Sequence, residues 1–280
     1  MRVVITAGGT SEMIDSVRSI TNKSSGKLGS LIAENFYSFD NNIEVVYICP
    51  ENTILPTHFN SSKFRIINVT NTQSLKETIE TILNTEKVDV FIHSMAVSDY
   101  SVNAIFDTET LTALITDCIN KHKNIDDINL LSEKISAEIY STHQDYTNTK
   151  FSSKHENSLI SMTKNEKIIK YIKEIQPTTI LVGFKLLSNV SQEELITTAS
   201  NLLRKNNCDF VLVNDSSNIT SNRHRGIFID DSGSYVQLET KEEISNEIVI
   251  KTIEKFKNSN NNNNNKKFKK KDKKIDDETH

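Results

Sequence analysis

The sequence predicts an α/β fold: a largely parallel sheet flanked by helices, closed by a C-terminal hairpin and helix. Three observations carry that expectation. Runs at 2–6, 44–49, 64–69 and 88–96 are apolar nearly throughout, as strands covered on both faces must be. Between them, apolar residues recur at helical spacing, the alternation that builds parallel sheets. Four of the seven glycines fall within residues 8–29, directly after the first run, where a strand hands over to a helix.

In order, Arg2–Thr6 reads as a strand stopped by Gly8-Gly9, and a polar loop then leads to Ser24-Ser25-Gly26-Lys27-Leu28-Gly29. Leu28, Leu31, Ile32, Phe36 and Phe39 mark a helix over 25–39. Glu44–Cys49 is the second strand, ended by Pro50, and Phe64–Val69 the third. Ser74 with Glu77 has the spacing of a capping box ahead of Leu75, Ile79, Ile82 and Leu83. Val88–Ala96 is a fourth strand that finishes in Ser98-Asp99-Tyr100.

Residues 101–149 look like an irregular insertion, with one helix near Glu109–Lys121. Regular alternation resumes with a strand at 158–163, a helix at 164–175, a strand at 179–187, and a helix opened by Ser191 and Glu194 that runs to about 206. Asp209–Val213 is a further strand, and Asp231-Ser232-Gly233 signals a hairpin between 226–230 and 234–239. A last helix follows Thr240 and Glu243. The expected organisation is one domain over 1–257 and a disordered tail over 258–280, in which Asn260–Asn265 precede seven lysines.

The formal charge of −4 includes that basic tail, so the body is acidic and offers no broad nucleic-acid surface. Three well-separated cysteines (Cys49, Cys118, Cys208) without a C-x-x-C pair fit reduced thiols in a cytoplasmic protein. No run approaches the length of a membrane span, and no signal segment opens the chain. No two histidines stand at metal-ligand spacing, so no protein-held metal is expected.

The candidate chemistry gathers at strand ends, where open α/β sheets bind ligands. Ser24, Ser25, Gly26 and Lys27 supply small residues, a helix start and one point charge, which suits an anion. They do not form a Walker loop, because Leu28 follows the lysine, and Gly8-Gly9-Thr10 is not a dinucleotide fingerprint; a plain turn with a lysine-bearing helix start remains open. Asp99 suits a ribose diol or a loop-ordering turn. His93 lies inside an apolar strand and reads more readily as packed than as catalytic. Lys185 is either an edge residue or an anion ligand, and Arg18 and Asn22 either meet an anionic substrate or decorate the surface. Chemistry that needs charge neutralisation and positioning fits this set better than a nucleophile or metal centre does.

Six strings in order, ITAGGTSEMID, VRSITNKSSGKLG, AVSDY, KFSS, VGFKLL and DFVLVND, resemble the phosphopantothenate–cysteine ligase family across roughly residues 1–255. VGFKLL is similar to the stand-alone form, without a flavin-binding decarboxylase, so no flavin is expected. The resemblance implies a Rossmann-like domain that dimerises. It implies a reaction in which CTP or ATP, with Mg²⁺, activates the carboxylate of 4′-phosphopantothenate to an acyl-nucleotidylate, which the amine of cysteine then attacks. By the same resemblance, Asn22 contacts the acyl moiety beside Arg18, and Gly8, Gly9, Thr10 and Ser24–Lys27 surround the phosphates. His93, Ser94, Met95, Asp99, Glu166, Lys167, Ile168, Ile169 and Phe184 contact nucleotide, and Lys150 is the lysine of a closing loop. Two departures stand out: nucleotide-binding lysines of the bifunctional form fall on Leu202 and Asn206, for which Lys185, Arg204 or Lys205 would substitute, and Lys134 competes for the role of Lys150. The alternatives are a Rossmann-type NAD(P)-dependent oxidoreductase and a non-catalytic nucleotide-binding module.

Overall fold

The computed structural model describes residues 1–59, 61–144, 148–219 and 223–276, with side chains as far as Asn261. Its strands are β1 (Arg2–Thr6), β2 (Ser11–Met13), β3 (Ser19–Thr21), β4 (Glu44–Cys49), β5 (Phe64–Asn68), β6 (Val90–His93), β7 (Tyr100–Asp107), β8 (Ser158–Lys164), β9 (Ile180–Leu187), β10 (Phe210–Ile219), β11 (His224–Asp230) and β12 (Tyr235–Leu238). Its helices are α1 (Lys27–Phe39), α2 (Thr72–Thr85), α3 (Thr108–Lys121), α4 (Ile128–Ser141), α5 (Ile169–Ile175), α6 (Gln192–Asn206) and α7 (Lys241–Asp276).

Eight strands form one sheet in the order β12-β11-β10-β9-β6-β1-β4-β5. The six from β10 to β5 are parallel, and β11 and β12 add an antiparallel hairpin at one end. Numbered in chain order, the parallel strands run 3-2-1-4-5-6 from β5 to β10, so connections leave β1 and β6 toward opposite faces. One core, holding Leu75, Ile79, Ile172, Leu181 and Ala199, lies under α2, α5 and α6. The other, holding Ile5, Ile32, Phe36, Tyr47, Ile244 and Ile248, lies under α1 and α7. Strand residues alternate between the two: Val4, Phe91 and Leu181 face the first, while Val3, Ile5, Val90 and Ile92 face the second. Burial on both faces is why β1, β4, β6 and β9 read as apolar runs, whereas β5, at the sheet edge, buries none of its residues.

Four expectations are corrected. The insertion is regular: β7 pairs antiparallel with β8, and α3 and α4 pack on that hairpin, although residues 145–147 lie outside the described set. Asp107 caps α3 by accepting the Thr110 N–H at 2.7 Å, and Asp127 caps α4 through Asn129 N at 2.8 Å. The apolar residues of α4 stay unburied, so its helical face leaves a weak periodic signal. Consequently β8 belongs to the small hairpin and not to the main sheet. The cap of α2 is Asn71, with Ser74 three positions inside donating back, because the helix begins a turn earlier than Ser74 suggests. Finally, α7 spans Lys241–Asp276 and so takes in most of the residues expected as a tail, while residues 277–280 lie outside the described set.

Candidate nucleotide and acyl site at the sheet switch point

The β1–β6 crossover point opens a crevice at the carboxyl ends of the strands, and three backbone segments line it. Beyond β1, the 8–10 turn is stitched to the segment after β6: Ala96 N–H donates to Gly8 O at 2.9 Å, and Thr10 N–H donates to Ala96 O at 3.1 Å. Asn22 closes the same wall, its backbone N–H reaching Thr10 O and its Nδ2 donating to Ala96 O, each at 3.1 Å. A β-carbon on Gly9 would stand 2.1 Å from Asn22 O, so the close approach requires glycine.

Lys27 opens α1 directly above this turn. Its cap residue, Gly26, has φ of 76° and offers no side chain, and no acidic residue occupies the first turn. Lys27 N–H makes only a long bond to Ser25 Oγ, at 3.4 Å, and the N–H groups of Leu28 and Gly29 have no intrahelical acceptor, so this first turn suits an anion, with the positive end of the helix dipole behind it. A β-carbon at Gly26 would meet Thr53 Cγ2 at 2.2 Å and Gly8 N at 3.2 Å. Thr53 is buried and closes the floor of the turn, while Tyr47 Oη reaches Ile54 O at 3.2 Å.

At the end of β6, His93 is buried and pairs Nδ1 with Thr6 Oγ1 at 3.1 Å. Burial pushes its pKa down to about 4, so the imidazole is neutral near pH 7. Ser94 Oγ donates to Thr6 O at 2.6 Å, and Ser98 N–H donates to Thr10 Oγ1 at 2.8 Å. The Thr10 hydroxyl thus ties the two loops together inside the wall.

The opposite wall is made of exposed side chains. Asp99 pairs with Lys167, and Glu166 pairs with Lys76 at 2.9 Å and with the Tyr171 hydroxyl. Tyr171 first, then Lys76, holds the Glu166 pKa down to about 2. Asn165 fixes this segment by donating its N–H to Asp99 O at 2.8 Å and Nδ2 to Ser98 O at 3.0 Å.

A third segment arrives from the far side of the hairpin insertion. Ser16 N–H donates to Thr149 O at 3.1 Å, and Phe151 N–H donates to Asp15 Oδ2 at 3.0 Å. Arg18 pairs with Asp15 and also donates Nη2–H to Phe151 O at 2.8 Å. Lys150 therefore stands beside Arg18, whereas Lys134 is carried on α4. Asp15 is fully buried, and Arg18, followed by backbone N–H donors, holds its carboxyl far below the usual carboxylate range.

The structure thus gathers Gly8, Gly9, Thr10, Asn22, Ser24, Ser25, Gly26, Lys27, His93, Ser94 and Asp99 along the carboxyl ends of β1 and β6, with Arg18 and Lys150 adjoining each other; Met95 follows β6, but its side chain is buried in the core under α2, α5 and α6. Other expected residues fall elsewhere. Ile168 and Ile169 are core side chains, so only their backbone is offered to a ligand. Phe184 packs on the core under α1 and α7. Lys185 pairs in register with Val213 just beyond Gly183, the last β9 residue bonded to β6, which explains a charge on an inner strand. Lys205 is exposed in the last turn of α6, after that helix has carried the chain back toward the start of β10, so it does not join the crevice. Leu202 lies against Gly183, and Asn206 is buried with Nδ2 bonded to Leu202 O at 3.1 Å. Sequence reasoning passed over Thr6, Asp15 and Thr53. Only Asp15 carries a local signal, an acid two and three residues before the N–H groups of Val17 and Arg18 that it accepts.

A six-stranded 3-2-1-4-5-6 sheet with a glycine turn and an open helix start at its switch point defines an α/β domain of the nucleotide-binding class. Residues 1–110 and 140–256 match the model of the DNA/pantothenate metabolism flavoprotein C-terminal domain family, and the chain belongs to that family. It is 30% identical over 215 residues to the coenzyme A biosynthesis bifunctional protein CoaBC of Thermococcus kodakarensis, covering 76% of this chain and 41% of that protein. The chain therefore spans about two fifths of the length of such relatives. The crystal structure of the DNA/pantothenate metabolism flavoprotein from Streptococcus pneumoniae superposes with a TM-score of 0.73 at 33% identity, over 91% of this chain and 99% of that one. A Cab2 H337A variant in complex with phosphopantothenate-cysteine shares the fold, with a TM-score of 0.61 at 17% identity over 92% of this chain and 86% of that one.

Proposed function

We propose that this protein is a phosphopantothenate–cysteine ligase of coenzyme A biosynthesis. The observation that carries the reading is the meeting, at one switch point, of the open first turn of α1 with Lys27 and the amide of Asn22, with Arg18 joined to the Lys150 segment on the hairpin that leads into Asn22. Family membership and the coenzyme A assignment of the Thermococcus relative support it.

In this reading CTP or ATP lays its phosphates on the N–H groups of Gly8 and Gly9 and of the first turn of α1, and Mg²⁺ arrives with the triphosphate as part of the substrate. A carboxylate oxygen of 4′-phosphopantothenate attacks the α-phosphorus, and the bond to pyrophosphate breaks. Lys27 and Lys150 offset the charge that collects as carboxylate and triphosphate approach. The cysteine amine then attacks the acyl carbon, the nucleoside monophosphate leaves, and the amide forms. Asn22 has one Nδ2–H on Ala96 O, and the other, without a partner among the described residues, can reach an acyl oxygen without adding charge. The placement of Lys150 next to Arg18 favours it over Lys134 as the lysine that meets the reacting phosphate.

We also assign the protein to the cytoplasm as a homodimer. No helix among the described residues is long and apolar enough to cross a membrane. Ile128, Leu130 and Tyr140 on α4, with Ile119 on α3 and Leu159 on β8, give the hairpin insertion an exposed apolar surface suited to a second copy.

Incubation with phosphopantothenate, cysteine and either CTP or ATP tests the reading. Pyrophosphate and monophosphate release that needs the acid, with amide formation that needs cysteine, is expected. The 3-2-1-4-5-6 order is shared with dinucleotide oxidoreductases, so NAD(P)H oxidation without pyrophosphate release would favour that class instead.

A further inference from the structure

We infer that Asp15 is a positioning residue for the nucleotidyl-transfer step, the latch that holds the Lys150 segment against the Arg18 turn. The inference rests on the ligase reading, which assigns Lys150 and Arg18 to the substrates but gives Asp15 no part.

The geometry is specific. Asp15 is fully buried between two segments more than a hundred residues apart in sequence. Its Oδ1 accepts Val17 N–H at 2.9 Å and Arg18 N–H at 2.8 Å, which shapes the turn that carries Arg18. Its Oδ2 accepts Arg18 Nε–H at 2.9 Å and Phe151 N–H at 3.0 Å, and the Arg18 Nη2 as well. Arg18 completes the clasp by donating to Phe151 O at 2.8 Å, and Ser16 N–H does the same to Thr149 O at 3.1 Å. Lys150 is thus bracketed by bonded neighbours on both sides while its own side chain remains exposed. One carboxylate sets both the direction of Arg18 and the register of Lys150.

Only an ionised carboxylate satisfies this set. Five donors converge on two oxygens, and a carboxamide at position 15 would turn an NH₂ group toward at least two N–H groups. Asp15→Asn should therefore release the 149–151 segment while leaving the phosphate wall around Gly8 and Gly26 intact. A shift of about an ångström in a charge that must meet a reacting phosphate costs roughly 100-fold in rate.

Two measurements test this. Amide exchange on the unaltered protein, without substrates, should show Phe151 N–H protected like the N–H groups of Val17 and Arg18; free exchange at Phe151 would overturn the latch without any variant being made. In Asp15→Asn, the single-turnover pyrophosphate burst should slow roughly 100-fold at unchanged triphosphate affinity. Adding Lys150→Gln to that variant should slow it little further, because both changes remove one interaction. A general loss of fold would instead lower triphosphate affinity and multiply with Lys150→Gln. Wild-type protein that forms the amide, paired with an intact burst in Asp15→Asn, overturns the inference alone. Wild-type protein with a protected Phe151 and no ligase activity overturns the ligase reading, and with it the role of the latch.

Discussion

On the β1 side of the crevice, the wall is built from backbone: Gly8, Thr10, Asn22 and Ala96 exchange main-chain bonds, and Thr6, Thr10 and His93 are buried behind them. Across from it, Asp99, Glu166 and Lys167 are each more than half exposed; Asp99 pairs with Lys167, and Glu166 pairs with the less exposed Lys76. The first wall is part of the core, so altering it alters the fold and the site together. The second sits in water, where pairs are screened and weak, so altering it should touch ligands alone. Phosphates need the first kind of surface, because N–H groups must be preorganised and dry to act on charge.

The sharpest way to break this contrast is at Gly26. Alanine there must hold a left-handed φ, costing ~1 kcal/mol, and must displace the buried Thr53 methyl and crowd the Gly8 N–H. Together with overpacking of ~1–3 kcal/mol, Gly26→Ala should lower the melting temperature by several degrees and abolish ligase activity. A variant that melts and turns over like wild type would mean that the wall is not continuous with the core.

His93 gives the same wall a pH signature. Its folded pKa of about 4 lies below the usual value of 6.5, so the unfolded chain takes up a proton that the folded one refuses. Stability from this residue is complete above pH 6.5 and drains away as the pH falls toward 4, by about 3 kcal/mol in all. His93→Gln should flatten that part of the stability–pH curve. An unchanged slope would show that the imidazole is protonated in place.

Lys150→Gln belongs to the exposed side. We expect nucleotidyl transfer to slow roughly 100-fold, as when one charge-stabilising donor is removed, with the melting curve unmoved. An undiminished single-turnover pyrophosphate burst would remove Lys150 from the step. Asn22→Asp tests the seam between the walls: the added negative charge should hinder attack by cysteine, so that the acyl-nucleotidylate accumulates while pyrophosphate release persists. Full amide formation by that variant would exclude the role.

Much of the backbone wall was legible in the sequence because it is local. Glycines that allow close approach, the lysine at a helix start and the strand that precedes them lie within residues 2–29 and leave their chemistry in residue types. The other parts are made by distance. Asp15 meets Phe151 across the whole hairpin insertion, and nothing near either residue announces the partner. The amphipathic pattern of α4 is faint because that helix covers no core, and Lys205 misled because the sequence does not reveal at which end of α6 a residue will lie relative to the strand ends. Lys185 reads as anomalous only until β6 is seen to stop at His93 and leave the last residues of β9 without that neighbour.

The smallest effect should come from Lys167. It pairs with Asp99 at the rim, both side chains more than half exposed, and no buried group depends on either. Lys167→Ala should leave the melting temperature unchanged. If Asp99 meets the ribose of the nucleotide, losing the lysine frees that carboxylate to accept hydroxyls but leaves it uncompensated near the phosphates. The KM for the nucleotide should then rise a few-fold at low ionic strength, and the difference should vanish in high salt, where exposed charges are screened beyond roughly 3 Å at 1 M. The burst rate at saturating nucleotide should not move. A salt-independent KM effect, or a lowered melting temperature, would place Lys167 with the buried wall and dissolve the distinction between the two.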